Sequence, residues 1–241
     1  MKFSKNQKPG EAFSSLDDYD SGIRQIIPHY DLMQDVIISM ISSDARTILE
    51  LGSGTGELTI KLLNRNPSIQ ALCIDYSSRM IDYMKTKVEN AGNRNRVQWI
   101  LNDFSDLDRL DHPYLKEESL DACISMLAVH HLEARKKMNL IRHVYSMLKP
   151  GGHFWIADVL IPKSREMEVY YLGAREKWLM QQNLTQETLA AQMIDREASA
   201  LQNHDMPDSI HLQLEMFESA GFRSVDILWK YFGTGIFGGI K

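Results

Sequence analysis

Three acidic side chains, three glycines and a histidine pair in this 241-residue chain are spaced so that each group falls where a strand should end. The densest stretch is Thr47-Ile48-Leu49-Glu50-Leu51-Gly52-Ser53-Gly54-Thr55-Gly56-Glu57-Leu58. Its apolar run reads as a buried parallel strand, and Leu58, Leu62 and Leu63 begin a helical pattern directly after the glycines. Glycine at alternate positions permits backbone angles that a β-carbon would obstruct and lets a ligand approach the main chain closely. The spacing is not the G-x-G-x-x-G of a pyrophosphate cradle. With Glu50 two residues before the first glycine, a cationic or amine-bearing ligand suits the loop better than a phosphate.

Two further aspartates follow the same logic. Asp75 ends a second apolar run and can accept hydrogen bonds from both ribose hydroxyls of an adenosine; Asp103-Phe104 ends a third and offers an acceptor for an adenine amino group beside an apolar ring. Each aspartate taken singly could equally be a helix N-cap. A fourth run ends in Ile124-Ser125-Met126-Leu127-Ala128-Val129-His130-His131-Leu132. His130 or His131 could take a proton from a nucleophile, because imidazole titrates near neutrality, or could simply pack or cap at a helix start. No metal site is expected, since no cysteine or carboxylate ligand set accompanies the pair in sequence.

The elements that must position these groups alternate regularly. Strands are expected at Ala71 to Ile74, Val97 to Leu101, Leu120 to Met126 and His153 to Val159, with helices at Met80 to Val88 and Arg135 to Leu148. Such alternation means right-handed crossovers and a parallel sheet, with the ligand at the carboxyl ends of its strands. Residues 1–18 read as a flexible arm and 19–241 as one domain. Two short helices joined at Pro28 carry Tyr19, Arg24 and Tyr30, which could line the mouth of a site or serve as surface packing and solvated charge. Within 163–206 the alternation gives way to helical patterns at Met167 to Leu179 and Gln186 to Leu201, a lid-like insertion before a last helix from Pro207 to Ala220. Tyr170, Tyr171, Arg175 and Trp178 on the first pattern and Arg196 on the second could contact a small anionic or conjugated substrate, or could be docking surface.

Composition bounds the partners. A formal net charge of -5 offers no broad basic face and disfavours nucleic acid, and no apolar run approaches a membrane span. Cys73 and Cys123 lie in apolar runs and read as buried, reduced thiols. A cytoplasmic protein acting on a small molecule is the expectation, and a homodimer is compatible with it.

From about Tyr19 to Ile240 the chain resembles the class I S-adenosylmethionine-dependent methyltransferases, on the Glu50 to Gly56 loop, Asp75, Asp103 and the turn Lys149-Pro150-Gly151-Gly152. The resemblance implies an α/β fold: a seven-stranded, mostly parallel, doubly wound sheet with strand seven antiparallel between five and six, N-terminal helices and a helical lid. It implies S-adenosyl-L-methionine as cofactor and direct displacement of its methyl group by a small-molecule acceptor. The implied cofactor residues are Tyr30, Glu50, Gly52, Ser53, Gly54, Gly56, Asp75, Tyr76, Met80, Asp103, Phe104 and Met126.

More narrowly, the Asp20-x-x-x-Arg24-x-x-x-Pro28-x-Tyr30 stretch and the Tyr231 to Lys241 tail resemble carboxy-S-adenosylmethionine synthase and its plain methyltransferase relatives. In that branch the tyrosine after the proline contacts the cofactor, and a lid arginine reads the extra carboxylate, for which Arg196 is the nearest match. The branch has a less regular glycine loop and an asparagine where this chain places Met126, so ordinary S-adenosylmethionine is the expected cofactor. The rivals are a tRNA-modifying enzyme, a nicotinamide-dependent oxidoreductase, which the G-x-G-x-G spacing of the loop disfavours, and a non-catalytic scaffold, which would usually show a damaged glycine loop.

Overall fold

Strands β1 (Thr47–Leu51), β2 (Gln70–Asp75) and β4 (Leu120–Met126) are buried almost without interruption, because helices cover both faces of the sheet they share. With β3 (Val97–Leu101), β5 (Leu148–Val159), β6 (Arg223–Tyr231) and β7 (Thr234–Ile240) they form one seven-stranded sheet in the order β3-β2-β1-β4-β5-β7-β6. The first five strands are parallel, and β7 lies antiparallel between β5 and β6. The sequence of element types therefore produced the expected sheet. This computed structural model describes residues 16–182, 184 and 205–241.

Helices α2 (Tyr30–Ser39), α3 (Glu57–Arg65) and α4 (Ser78–Asn90) close one face, where Met33, Leu62 and Met84 meet Ile48 and Cys73. Helices α5 (Ala134–Met147) and α7 (Ile210–Ala220) close the other, with Ile141, Val144 and Phe217 on Leu51, Ile74 and Phe154. Helix α1 (Leu16–Ile26) lies ahead of α2, and α6 (Glu168–Met180) follows β5. Among the described residues, no helix is long and apolar enough to cross a membrane.

Several boundaries differ from the sequence expectation for local reasons. Helix α1 begins at Leu16, inside the stretch read as an arm, and the Leu16 side chain is buried. Strand β5 begins at Leu148, because Leu148 pairs with Leu120 ahead of a bulge between Leu120 and Ala122. Helix α7 starts at Ile210 rather than Pro207, since Ser209 caps it by accepting from the Leu212 amide at 3.4 Å. The second lid pattern, Gln186 to Leu201, lies outside the described residues.

Helix α4 is set by a cap as well. Oγ of Ser77 accepts from the Met80 amide at 3.3 Å. Ser77→Ala is expected to cost ~1 kcal/mol, a fall in melting temperature of about 2–4 °C that calorimetry would read.

Candidate active site

The register sets the stage: Glu50 on β1 stands opposite Cys73 on β2 and Ile124 on β4, so three strand ends finish level. Between them the glycine loop turns tightly. Gly52 sits at φ 70°, donates to the Ile74 carbonyl at 2.8 Å, and would bring a β-carbon within 2.3 Å of the Ala128 methyl. Gly54, at φ 52°, has open space where its side chain would be, and its amide donates to Oδ2 of Asp75 at 2.8 Å. Thus one glycine permits packing and another leaves room beside the main chain.

Glu50 is buried, accepts a hydrogen bond from Oγ1 of Thr59 and lies near Asp75. Burial, only partly offset by the Thr59 hydrogen bond, pushes its carboxyl up to about 8. Burial also raises Asp75, against the pull of the Ser77 and Gly54 amides; the Ser77 amide donates to Oδ1 at 2.9 Å. Two buried carboxyls facing one space favour a ligand that brings positive charge and hydroxyl donors. Oγ of Ser53 in the same wall is buried without a hydrogen-bond partner.

One cavity unites these groups. Tyr19, Tyr30, Glu50, Gly52, Ser53, Gly54, Asp75, Tyr76, Met80, Phe104, Met126 and His131, all candidates from the sequence, line it together. Thr55, Glu57, Leu58, Leu127 and Ala128 line it too and were missed. Leu127 holds φ 53°, a conformation with no sequence signature for leucine, and its amide bonds the Ala157 carbonyl at 2.8 Å. Burial raises both tyrosines, Tyr19 to about 12, so they remain neutral phenols at physiological pH.

The two histidines differ sharply. His130 is clamped: its amide donates to Oδ2 of Asp158 at 2.8 Å and its Nδ1 lies 2.5 Å from Oδ1 of the same residue. Burial alone would lower its pKa, but Asp158 outweighs burial and raises it. His131, on the cavity wall, is lowered by burial and by its neighbour His130, although Asp205 opposes this. Nδ1 of His131 lies 2.8 Å from Oδ1 of Asp205 without hydrogen-bond alignment, and both atoms are buried without a hydrogen-bond partner. So a carboxylate does accompany the pair, contrary to the sequence expectation; it arrives from far along the chain.

Other expected residues lie elsewhere. Asp103 is exposed and accepts from the Ser105 amide at 2.8 Å, the capping alternative, and does not line the cavity. Gly56 is also outside the lining; it precedes α3 and packs on Met84. Arg24 turns away from the cavity into an ion cluster, pairing with Glu57 at 2.5 Å and Asp31 at 3.0 Å. Lys87 joins the cluster through Glu57 and through Asp20 at 2.6 Å, and Asp20 accepts from Oγ1 of Thr55 at 2.5 Å.

The α6 residues are likewise outside the cavity lining. Tyr170 is exposed, Tyr171 accepts from Lys230 at 2.7 Å, and Arg175 is half-buried. Trp178 donates from Nε1 to the Gln25 carbonyl at 2.8 Å and lies 4.9 Å from the His29 ring. Tyr171 and Trp178 thus dock the helix, while Tyr170 faces solvent. Arg196 lies outside the described residues.

The sheet is parallel except for β7, reversed between β5 and β6, and its glycine loop is flanked by buried Glu50 and Asp75, the arrangement of the class I methyltransferase fold. Residues 48–152 match the family model described as a methyltransferase domain. Residues 48–152 thus carry a methyltransferase domain, and the sheet around them has the fold of the class I S-adenosylmethionine-dependent methyltransferases.

Among curated proteins it is similar to the carboxy-S-adenosyl-L-methionine synthase of Nautilia profundicola, 25% identical over 224 residues, 90% of this chain and 89% of that one. A tRNA N(3)-methylcytidine methyltransferase of Schizosaccharomyces pombe is 32% identical over 112 residues, 46% of this chain and 44% of that one. Among solved structures, an O-methyltransferase family protein from Burkholderia thailandensis has a TM-score of 0.69 at 16% identity, covering 99% of this chain and 65% of that chain. Human N-acetylserotonin methyltransferase in complex with S-adenosylmethionine has a TM-score of 0.56 at 17% identity, covering 88% of this chain and 52% of that chain. The likeness to these longer chains is one of fold. S-adenosyl-L-methionine is the cofactor, and the residues fit it: buried carboxyls for a cation and for hydroxyls, an orphaned serine hydroxyl, and apolar walls at Met80 and Phe104.

Proposed function

We propose that the chain methylates a small-molecule acceptor placed at the carboxyl end of β4. The observation that carries this reading is that His131, Met126 and Leu127 share one cavity with Glu50 and Asp75. S-adenosylmethionine supplies an activated methyl group on a sulfonium. Asp75 accepts from the ribose hydroxyls, Glu50 supports the amino end, Ser53 donates or accepts beside it, and Met80 and Phe104 flank the base. Tyr19 and Tyr30 close the cavity from the N-terminal helices and keep water out, which aligns and desolvates the reacting groups. His131 meets the acceptor, and His130, held by Asp158, is its positioning residue. Trp178 ties α6 to α1 beside the cavity that Tyr19 of α1 helps to line.

The full-length similarity to a carboxy-S-adenosyl-L-methionine synthase favours a second reading, in which the cofactor itself is carboxylated. Met126 in the cavity wall weighs against it, since a thioether offers little to a carboxylate. Calorimetric titration with S-adenosylmethionine and S-adenosylhomocysteine, with mass analysis of any co-purifying ligand, separates them. Micromolar binding of both supports methyl transfer, a carboxylated cofactor in the spectrum supports the synthase, and absence of binding removes both.

A further inference from the structure

Three donor atoms gather behind the acceptor end, and one of them, on Asp205, has no role in the reading above. His130, His131 and Asp205 each offer one ligand atom, and these three atoms lie within 4.8 Å of one another. Oδ1 of Asp205 is 2.8 Å from His131 Nδ1 and 3.9 Å from His130 Nε2. Donors about 2.0–2.2 Å from one metal ion stand about 3.0–3.6 Å apart, so sharing an ion draws the widest pair together by about 1 Å, within reach of side-chain rotation.

Their surroundings look built for the purpose. The first observation is that His131 Nδ1 and Asp205 Oδ1 face each other at 2.8 Å, both buried and poorly aligned for a hydrogen bond, so the pair is close enough to share a cation. The second is support from behind. Asp158 holds Nδ1 of His130 and so turns Nε2 toward the cluster, the carboxylate–histidine arrangement that orients metal-bound imidazoles. The backbone carrying Asp205 is fixed as well: the Met206 amide donates to the His130 carbonyl at 2.7 Å, and fully buried Lys137 binds both the Met206 carbonyl and Asp208, the latter at 2.6 Å.

We propose that His130, His131 and Asp205 form a three-ligand site for a divalent first-row transition metal ion, its remaining positions open toward an oxygen of the methyl acceptor. Two imidazoles and one carboxylate suit zinc, manganese or ferrous iron and leave room for an exogenous ligand. The acceptor class becomes an oxygen nucleophile able to coordinate a cation, and His131 acts by ligation rather than by accepting a proton. This extension rests on the methyl-transfer reading, but its test is separate.

After chelator treatment and dialysis, the full chain is titrated calorimetrically with zinc chloride and with manganese chloride. In parallel, S-adenosylhomocysteine is titrated without metal, and cobalt is followed by its visible absorption. One metal ion per chain at micromolar affinity or tighter is expected, weakened at least 10-fold by Asp205→Asn and by His131→Ala, and about 10-fold by Asp158→Asn. Circular dichroism checks that the variants fold, and the cobalt spectrum of the native chain reports nitrogen and oxygen ligands even if a variant does not. Equal affinity in the native chain and in folded Asp205→Asn and His131→Ala overturns the site, as does no metal binding by the native chain. Metal binding without S-adenosylhomocysteine binding removes the methyl-transfer reading and leaves the metal site standing.

Discussion

Replacing Asp75 with alanine is expected to raise the dissociation constant for S-adenosylhomocysteine about 100-fold, close to 3 kcal/mol. Two losses add up. A pair of charge-assisted hydrogen bonds to the ribose disappears, each worth about 1.5 kcal/mol net at the low end of its range. The carboxylate also organises the loop, because it accepts from the Gly54 and Ser77 amides, so its removal frees the backbone that the cofactor must approach. Asp75→Asn keeps an acceptor for one of those amides and should fall between the two. Isothermal titration decides the matter: an affinity for the alanine variant within threefold of the native value would remove Asp75 from the binding site.

Glu50→Gln should move stability and binding in opposite directions. The folded-state pKa, near 8, lies above the usual carboxyl value of 4.5. The folded chain therefore holds the extra proton between these values, and stability falls as pH rises through that window. The penalty is absent below pH 4.5, grows by ~1.4 kcal/mol per pH unit, and approaches ~4 kcal/mol by pH 8. Glutamine carries no such penalty while still accepting from Thr59. The ligand-free variant should melt on the order of 10 °C above the native chain at pH 8 and level with it near pH 5. Cofactor binding should respond inversely. An ammonium favours ionised Glu50, so native affinity should climb with pH between 6 and 8 with release of a proton, while the variant's affinity stays flat. Melting curves that run parallel for both proteins across this range would contradict the assignment.

Local patterns in the sequence carried the binding half of the site. The strand–glycine–helix stretch from Thr47 to Leu63 and the aspartate closing β2 are consequences of neighbouring residues, and both fall where expected. What sequence concealed was set by distant partners. Arg24 looks like a substrate group until α3 supplies Glu57. Asp103 is the local exception: the Ser105 amide two residues on engages its carboxylate, the capping alternative that the sequence itself offers. Tyr171 and Trp178 meet Lys230 and Gln25, far off in sequence, and so spend their polar tips on docking. The approach of Asp205 to the histidine pair depends on a buried lysine in α5, which no spacing rule connects to either. Leu127 at positive φ follows from the Ala157 carbonyl that its amide must reach.

The ion cluster at the N-terminal helix bears on how fast ligand can leave. Tyr19 rides on α1, and α1 is fastened to α3 and α4 by Arg24 with Glu57 and by Lys87 with Asp20. These pairs are only partly shielded, so salt should weaken the fastening while leaving the buried carboxyls of the site largely untouched. Residence time, more than affinity for the open form, is then the ionic-strength-dependent quantity. Stopped-flow displacement of S-adenosylhomocysteine should show dissociation quickening between 50 mM and about 500 mM salt, and Lys87→Met should be fast throughout.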